Sequence, residues 1–128
     1  MACPYFYPVA RFETSPWSVP PRLPLGDAFS GFCRAPGNTV QPDEMRMRTV
    51  CNLGFGRRAC EQFPETSAAD AVRFHVAQDS GELIHIQYVF EKECWPGEHG
   101  DAASLTDDIL QRQAQVFRES YLRRRSEA

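Results

Sequence analysis

Residues 71–90 read Ala-Val-Arg-Phe-His-Val-Ala-Gln-Asp-Ser-Gly-Glu-Leu-Ile-His-Ile-Gln-Tyr-Val-Phe. The first seven alternate apolar and polar with a period of two. The last eight, from Leu83, are rich in β-branched and aromatic side chains. Gln78-Asp79-Ser80-Gly81-Glu82 between them is turn-forming throughout, so the stretch predicts a β-hairpin. Successive side chains of a strand point to opposite faces, and the Ile84, Ile86, Tyr88 and Phe90 face is the one expected to turn inward.

Downstream, Trp95-Pro96-Gly97-Glu98-His99-Gly100 reads as a turn. Ser104-Leu105-Thr106-Asp107 resembles a capping box that opens a helix running to about Arg123. Leu105, Ile109, Val116, Phe117 and Tyr121 follow helical spacing, with Leu110 and Leu122 on the margins of the apolar face. Asp107 and Asp108 at its start and Arg123-Arg124-Arg125 at its end complement the helix dipole.

Upstream the character changes. Eight of the ten prolines fall in the first 42 residues. Proline lacks an N–H and restricts its predecessor, which excludes a long helix or a central strand there. The same segment carries Tyr5, Phe6, Tyr7, Phe12, Trp17, Phe29 and Phe32, an aromatic load unlike that of a disordered linker. The expectation is an irregular wrap pinned by cross-links or a cofactor. Residues 43–51 alternate weakly, as a short strand or a single helical turn, and residues 57–63 suggest a short helical turn ended by Pro64. The whole predicts a small single α+β domain over residues 1–128: an irregular Cys/Pro-rich lobe around a metal cluster (1–63), then a β-hairpin and a C-terminal α-helix (64–128).

Five cysteines bear on function. Cys3, Cys33, Cys51 and Cys60 lie in the turn-rich half, and Cys94 lies beyond the hairpin. The intervals hold 29, 17, 8 and 33 residues, so there is no close Cys-x-x-Cys pair. Thiols offered from loops beside glycines such as Gly54 and Gly56 suit an iron–sulfur cluster, whose sulfides need room and backbone N–H donors. Cys3, Cys33, Cys51 and Cys60 are therefore the expected cofactor and metal ligands, with a 4Fe-4S centre favoured. Zinc is the alternative: four thiolates satisfy it, yet its structural sites usually draw on closely spaced pairs. Cys94 is placed outside the ligand set, as a packed small hydrophobe or a free redox thiol, with replacement of one of the four ligands as the remaining alternative. Arg34, Arg57 and Arg58 flank the ligands and would offset the negative charge of a thiolate cluster.

Three functional readings follow: an iron–sulfur protein in electron transfer, redox sensing or structural organisation; a zinc-folded module for binding protein or nucleic acid; and an enzyme with an open iron site held by three protein ligands. A protein redox partner goes with the first. The net charge of −3 and pI of about 5.6 argue against a nucleic-acid footprint without closing that reading. No apolar run approaches the ~20 residues that span a bilayer. The N-terminal residues lack a signal peptide's pattern, so a cytoplasmic setting with reduced thiols is the expectation. His75 and His85 are read as polar positions on the outer hairpin face, with the possibility of being cross-strand neighbours. No P-loop, nucleophile elbow, Rossmann fingerprint or His-Glu-x-x-His motif appears.

Overall fold

The computed structural model describes residues 2–12, 23–34, 39–54, 60, 63–64, 67, 69–92 and 95–127, with the side chains of residues 95 and 127 excepted. It is an α+β structure. Strands β1 (Phe6–Arg11) and β2 (Phe29–Cys33) form a two-stranded antiparallel sheet. Residues Glu44–Arg46 begin a helical segment, α1, which a π-helical turn at Met47–Cys51 continues. Strands β3 (Ala71–Asp79), β4 (Ile84–Lys92) and β5 (Trp95–Asp101) form an antiparallel sheet in the order β3-β4-β5. The C-terminal helix α2 spans Asp108–Glu127.

The hairpin and its inward face are as the alternation predicts. Ile84, Ile86 and Tyr88 are buried, and Phe90 is half-buried. A β-bulge between Val76 and Gln78 inserts one residue into β3 and reverses its side-chain parity. Val72 and Phe74 face the core before it, and after it Asp79 shares the inward face with Ile84. There Asp79 accepts hydrogen bonds from Tyr121 Oη and Arg125 Nη1, both at 2.6 Å, so the bulge fastens the hairpin turn to the end of α2. The Tyr121 hydroxyl, followed by the Gly81 N–H and Arg125, holds the Asp79 carboxyl down at about 2.

Three expectations are corrected. Residues 95–100 are not a turn but most of β5, an edge strand, where the Pro96 ring and two glycines are tolerated because one side of the strand needs no ladder partner. The proline-rich half is less irregular than its composition suggests. Pro8 lies within β1, beside a register shift between Pro8 and Ala10, and the sheet closes because Gly31 lets β2 approach. A Cβ at Gly31 would stand 2.0 Å from the Tyr7 carbonyl oxygen and 2.9 Å from Pro8 Cα. Finally, α2 is capped by Asp107, not Ser104. The Asp107 carboxylate accepts from the N–H groups of Ile109 (2.8 Å) and Leu110 (3.2 Å), and the helix runs beyond Arg123. The expected helical turn at 57–63 lies largely outside the described residues.

One buried apolar cluster draws on both sheets and on α2, joining Phe6, Phe29, Met47, Val72, Phe74, Ile86, Leu110 and Val116. Helix α2 contributes Ile109, Gln113, Val116 and Ser120, a stripe at spacings of four and three. Its two polar members are the ones the apolar pattern overlooked. The terminal arginines tether the helix. Arg123 and Arg124 bind Asp27, Arg124 also reaches the Gly26 carbonyl, and Arg125 binds Asp79. Complementing the helix dipole is thus only part of what they do.

Gly31→Ala is expected to force β1 and β2 apart and to cost about 1–3 kcal/mol, the usual range for overpacking. A lowered midpoint of thermal unfolding is the check.

Candidate metal centre

Cys3 sits where four elements meet. Ala2 bridges to Val72 of β3 through two backbone hydrogen bonds of 2.7 and 2.8 Å. The Cys3 N–H donates to the Cys51 carbonyl at the end of the π-helical turn (3.0 Å). Cys3-Pro4-Tyr5-Phe6 then turns the chain into β1, with Phe6 N–H donating to the Cys3 carbonyl at 3.1 Å. Backbone hydrogen bonding from Tyr5 and Phe6 opposes the rise in the Cys3 pKa. Backbone N–H groups converging on one sulfur stabilise a thiolate, and they are a recurrent way of supporting a metal-bound cysteine.

Cys33 enters from β2. It lies opposite Phe6 in the ladder and makes a second antiparallel bridge to Val40, with hydrogen bonds of 2.7 and 2.9 Å. Cys51 closes the helical segment. The next residue, Asn52, is fully buried and locks that segment to β2: its amide donates to the carbonyls of Phe29 (2.9 Å) and Met47 (2.7 Å), and its carbonyl accepts from Phe29 N–H (3.0 Å). Gly54, at φ 77°, takes the left-handed turn that ends the helix. Cys60 is half-buried and accepts from Phe63 N–H through its carbonyl (3.2 Å).

The four thiols share one electrostatic neighbourhood. Cys3 is pushed up to about 12, chiefly by burial and also by Cys33 and Cys60, against the Tyr5 and Phe6 N–H groups. Burial likewise pushes Cys51 up to about 12, with Cys3, Cys33 and Cys60 all adding to the rise and Arg46 opposing it. Cys3 and Cys51 form the buried side of this neighbourhood, and Cys33 and Cys60 are half-buried. Among the described residues no three His, Cys, Asp or Glu side chains close to the spacing that holds a single metal ion. The thiols thus interact through space without forming a ready-made one-ion shell.

The cation beside Cys51 is Arg46, one turn earlier on the helical segment, which the sequence reading did not single out. Arg34, named for this role, instead pairs with Asp108 at 2.7 Å and lies over the Tyr7 ring at 5.1 Å. Arg57, Arg58 and Cys94 lie outside the described residues. Helix α2 supplies the partner that the sequence reading missed: Gln113 donates from Nε2 to the carbonyls of Cys3 (2.8 Å) and Phe6 (2.7 Å).

Each histidine has its own setting on the three-stranded sheet. His75 faces Gln87 (3.1 Å) and His85 stands opposite Gln78, so the bulged register sets neither histidine opposite the other. His85 binds Asp101, and His99 is exposed on β5. Among the described residues no helix is long and apolar enough to cross a membrane. No protein-family model matches the chain, and neither a curated protein nor a solved structure matches it.

The raised thiols carry a consequence for the metal-free protein. Their folded pKa of about 12 exceeds the ordinary 9.0, so the folded state holds protons that the unfolded chain releases. Stability from this source is complete below about pH 9 and is lost as pH climbs toward 12. Urea midpoints of metal-free protein should therefore fall across that alkaline window.

Proposed function

We propose that this chain is an iron–sulfur protein whose cluster is held by Cys3, Cys33, Cys51 and Cys60, and that its role is redox: electron transfer or redox sensing. The observation that carries the reading is that Cys33 and Cys60 act electrostatically on both Cys3 and Cys51, thiols drawn from positions far apart in sequence. As thiolates, the form that binds metal, these groups would repel one another unless a cation compensated them. Two of the thiols are deeply buried, and backbone hydrogen bonding opposes the pKa rise of one. That combination favours a bound metal centre over chance proximity of packed cysteines.

A cluster is preferred to a single zinc ion because the four cysteines are dispersed, with no close Cys-x-x-Cys pair. The thiolates of a cluster bind different iron atoms and stand farther apart than those around one ion. The cluster reading asks for that wider spacing, and among the described residues no three such side chains are grouped to hold one ion. The half-buried Cys33 and Cys60 make the side nearer solvent, through which electrons would pass to a protein partner.

Anaerobic purification followed by absorbance and iron, sulfide and zinc analysis tests the proposal. Charge-transfer absorption with acid-labile sulfide is the expected result. Stoichiometric zinc without colour would replace the cluster by the zinc-folded module. Protein free of both metals, and unable to take up either, would overturn the reading.

A further inference from the structure

We infer that Gln113 is a positioning residue for the Cys3 thiolate, through which helix α2 controls the N–H donors that act on that thiol. The inference rests on the metal-centre reading for its consequence, but the positioning itself belongs to the chain alone. Gln113 is fully buried in the middle of α2's inward stripe, between Ile109 and Val116, where an apolar side chain would be the ordinary choice. Its Nε2 instead holds two carbonyls, those of Cys3 and Phe6. Its own Oε1 has no hydrogen-bond partner, the one such buried side-chain atom among the described residues. The amide is thus committed to donation: the flipped orientation would set its oxygen against two carbonyl oxygens.

Those two carbonyls bracket the turn that serves the sulfur. The N–H groups of Tyr5 and Phe6 lie on the peptide planes between them; Phe6 N–H donates to the Cys3 carbonyl at 3.1 Å, and both N–H groups also act on the Cys3 thiol. Pro4 has a fixed φ, so pinning the flanking carbonyls leaves the intervening planes little freedom. Losing the Gln113 donors frees the turn and lets both N–H groups swing from the sulfur. In a loaded centre, weaker N–H···S bonding destabilises the more negative, reduced state and lowers the reduction potential.

The test compares Gln113→Leu, which keeps the bulk and deletes the donors, with Ile86→Ala, a core truncation on the far hairpin, at matched loss of thermal stability. In metal-free protein, Gln113→Leu should speed amide exchange at Tyr5 and Phe6 about tenfold more than at the β3–β4 hairpin, the factor for losing one ordinary hydrogen bond. Ile86→Ala should show no such local excess. In loaded protein, Gln113→Leu should also shift the charge-transfer bands and lower the potential. Should the leucine variant fail to fold, Gln113→Glu serves: its carboxylate repels both carbonyls, and protection at Tyr5 and Phe6 should return as acid protonates it and restores a donor. Exchange at Tyr5 and Phe6 that follows the hairpin in either variant overturns the positioning role. A wild-type protein that takes up no metal overturns the metal reading separately, while the exchange comparison still decides the role of Gln113.

Discussion

Cys3→Ser and Cys51→Ser are each expected to abolish the metal centre. Both side chains are buried, and both feel the charge of the other proposed ligands Cys33 and Cys60. Serine keeps the size but offers a hydroxyl that stays protonated and binds soft metals poorly. Loss of a group one step outside the ligands typically costs roughly 10–100-fold in metal affinity, and loss of a ligand should exceed that. Metal and sulfide per protein chain are the measurement, with Cys60→Ser expected to follow the same course. Cys94→Ser is the control and should keep its metal content. Full metal content in both Cys3→Ser and Cys51→Ser would remove them from the ligand set.

The second large effect is on pH dependence. Metal binds the thiolate, whereas Cys3 and Cys51, pushed up to about 12, carry protons at neutral pH. Loading must expel both. Each proton released makes the apparent affinity rise tenfold per pH unit, so these two alone give about a hundredfold per unit around neutrality. Any proton leaving Cys33 or Cys60 steepens the slope. The sign is fixed: acid favours the metal-free form and alkali the loaded one, up to the point where the metal-free fold itself weakens. Competition against a chelator at several pH values measures the slope, and a pH-stat counts the protons. An affinity independent of pH would mean that neither buried thiol is a ligand.

Much of the fold could be read from local pattern. The hairpin announces itself by alternation around Ser80-Gly81, and α2 by its spacing. What escaped was set by tertiary context. β5 contains Pro96, Gly97 and Gly100, residues that signal a turn unless the strand lies at a sheet edge. The register of the histidines depended on a one-residue bulge that no composition rule marks. Pro8 and Gly31 look like loop residues, yet the sheet they form is what sets Cys33 opposite Phe6. The cysteines could be nominated from their spacing and their turn-forming neighbours. Their supports could not. Asn52 and Gln113 are polar residues whose value lies in reaching backbone carbonyls more than 20 residues away, with Cys3 110 residues from Gln113. The signal was there in Gln113 and Ser120, which interrupt the apolar stripe of α2 at core spacing, because buried polar groups at such positions are retained for their partners.

X-ray absorption at the metal edge of anaerobically purified protein tests the central claim most directly, since it reports the atoms bound to the metal whatever the protein's activity. The account predicts iron surrounded by sulfur alone, with iron–iron scattering from a cluster. A metal bound mainly by nitrogen and oxygen would contradict it, because the four cysteines would then not be the ligands.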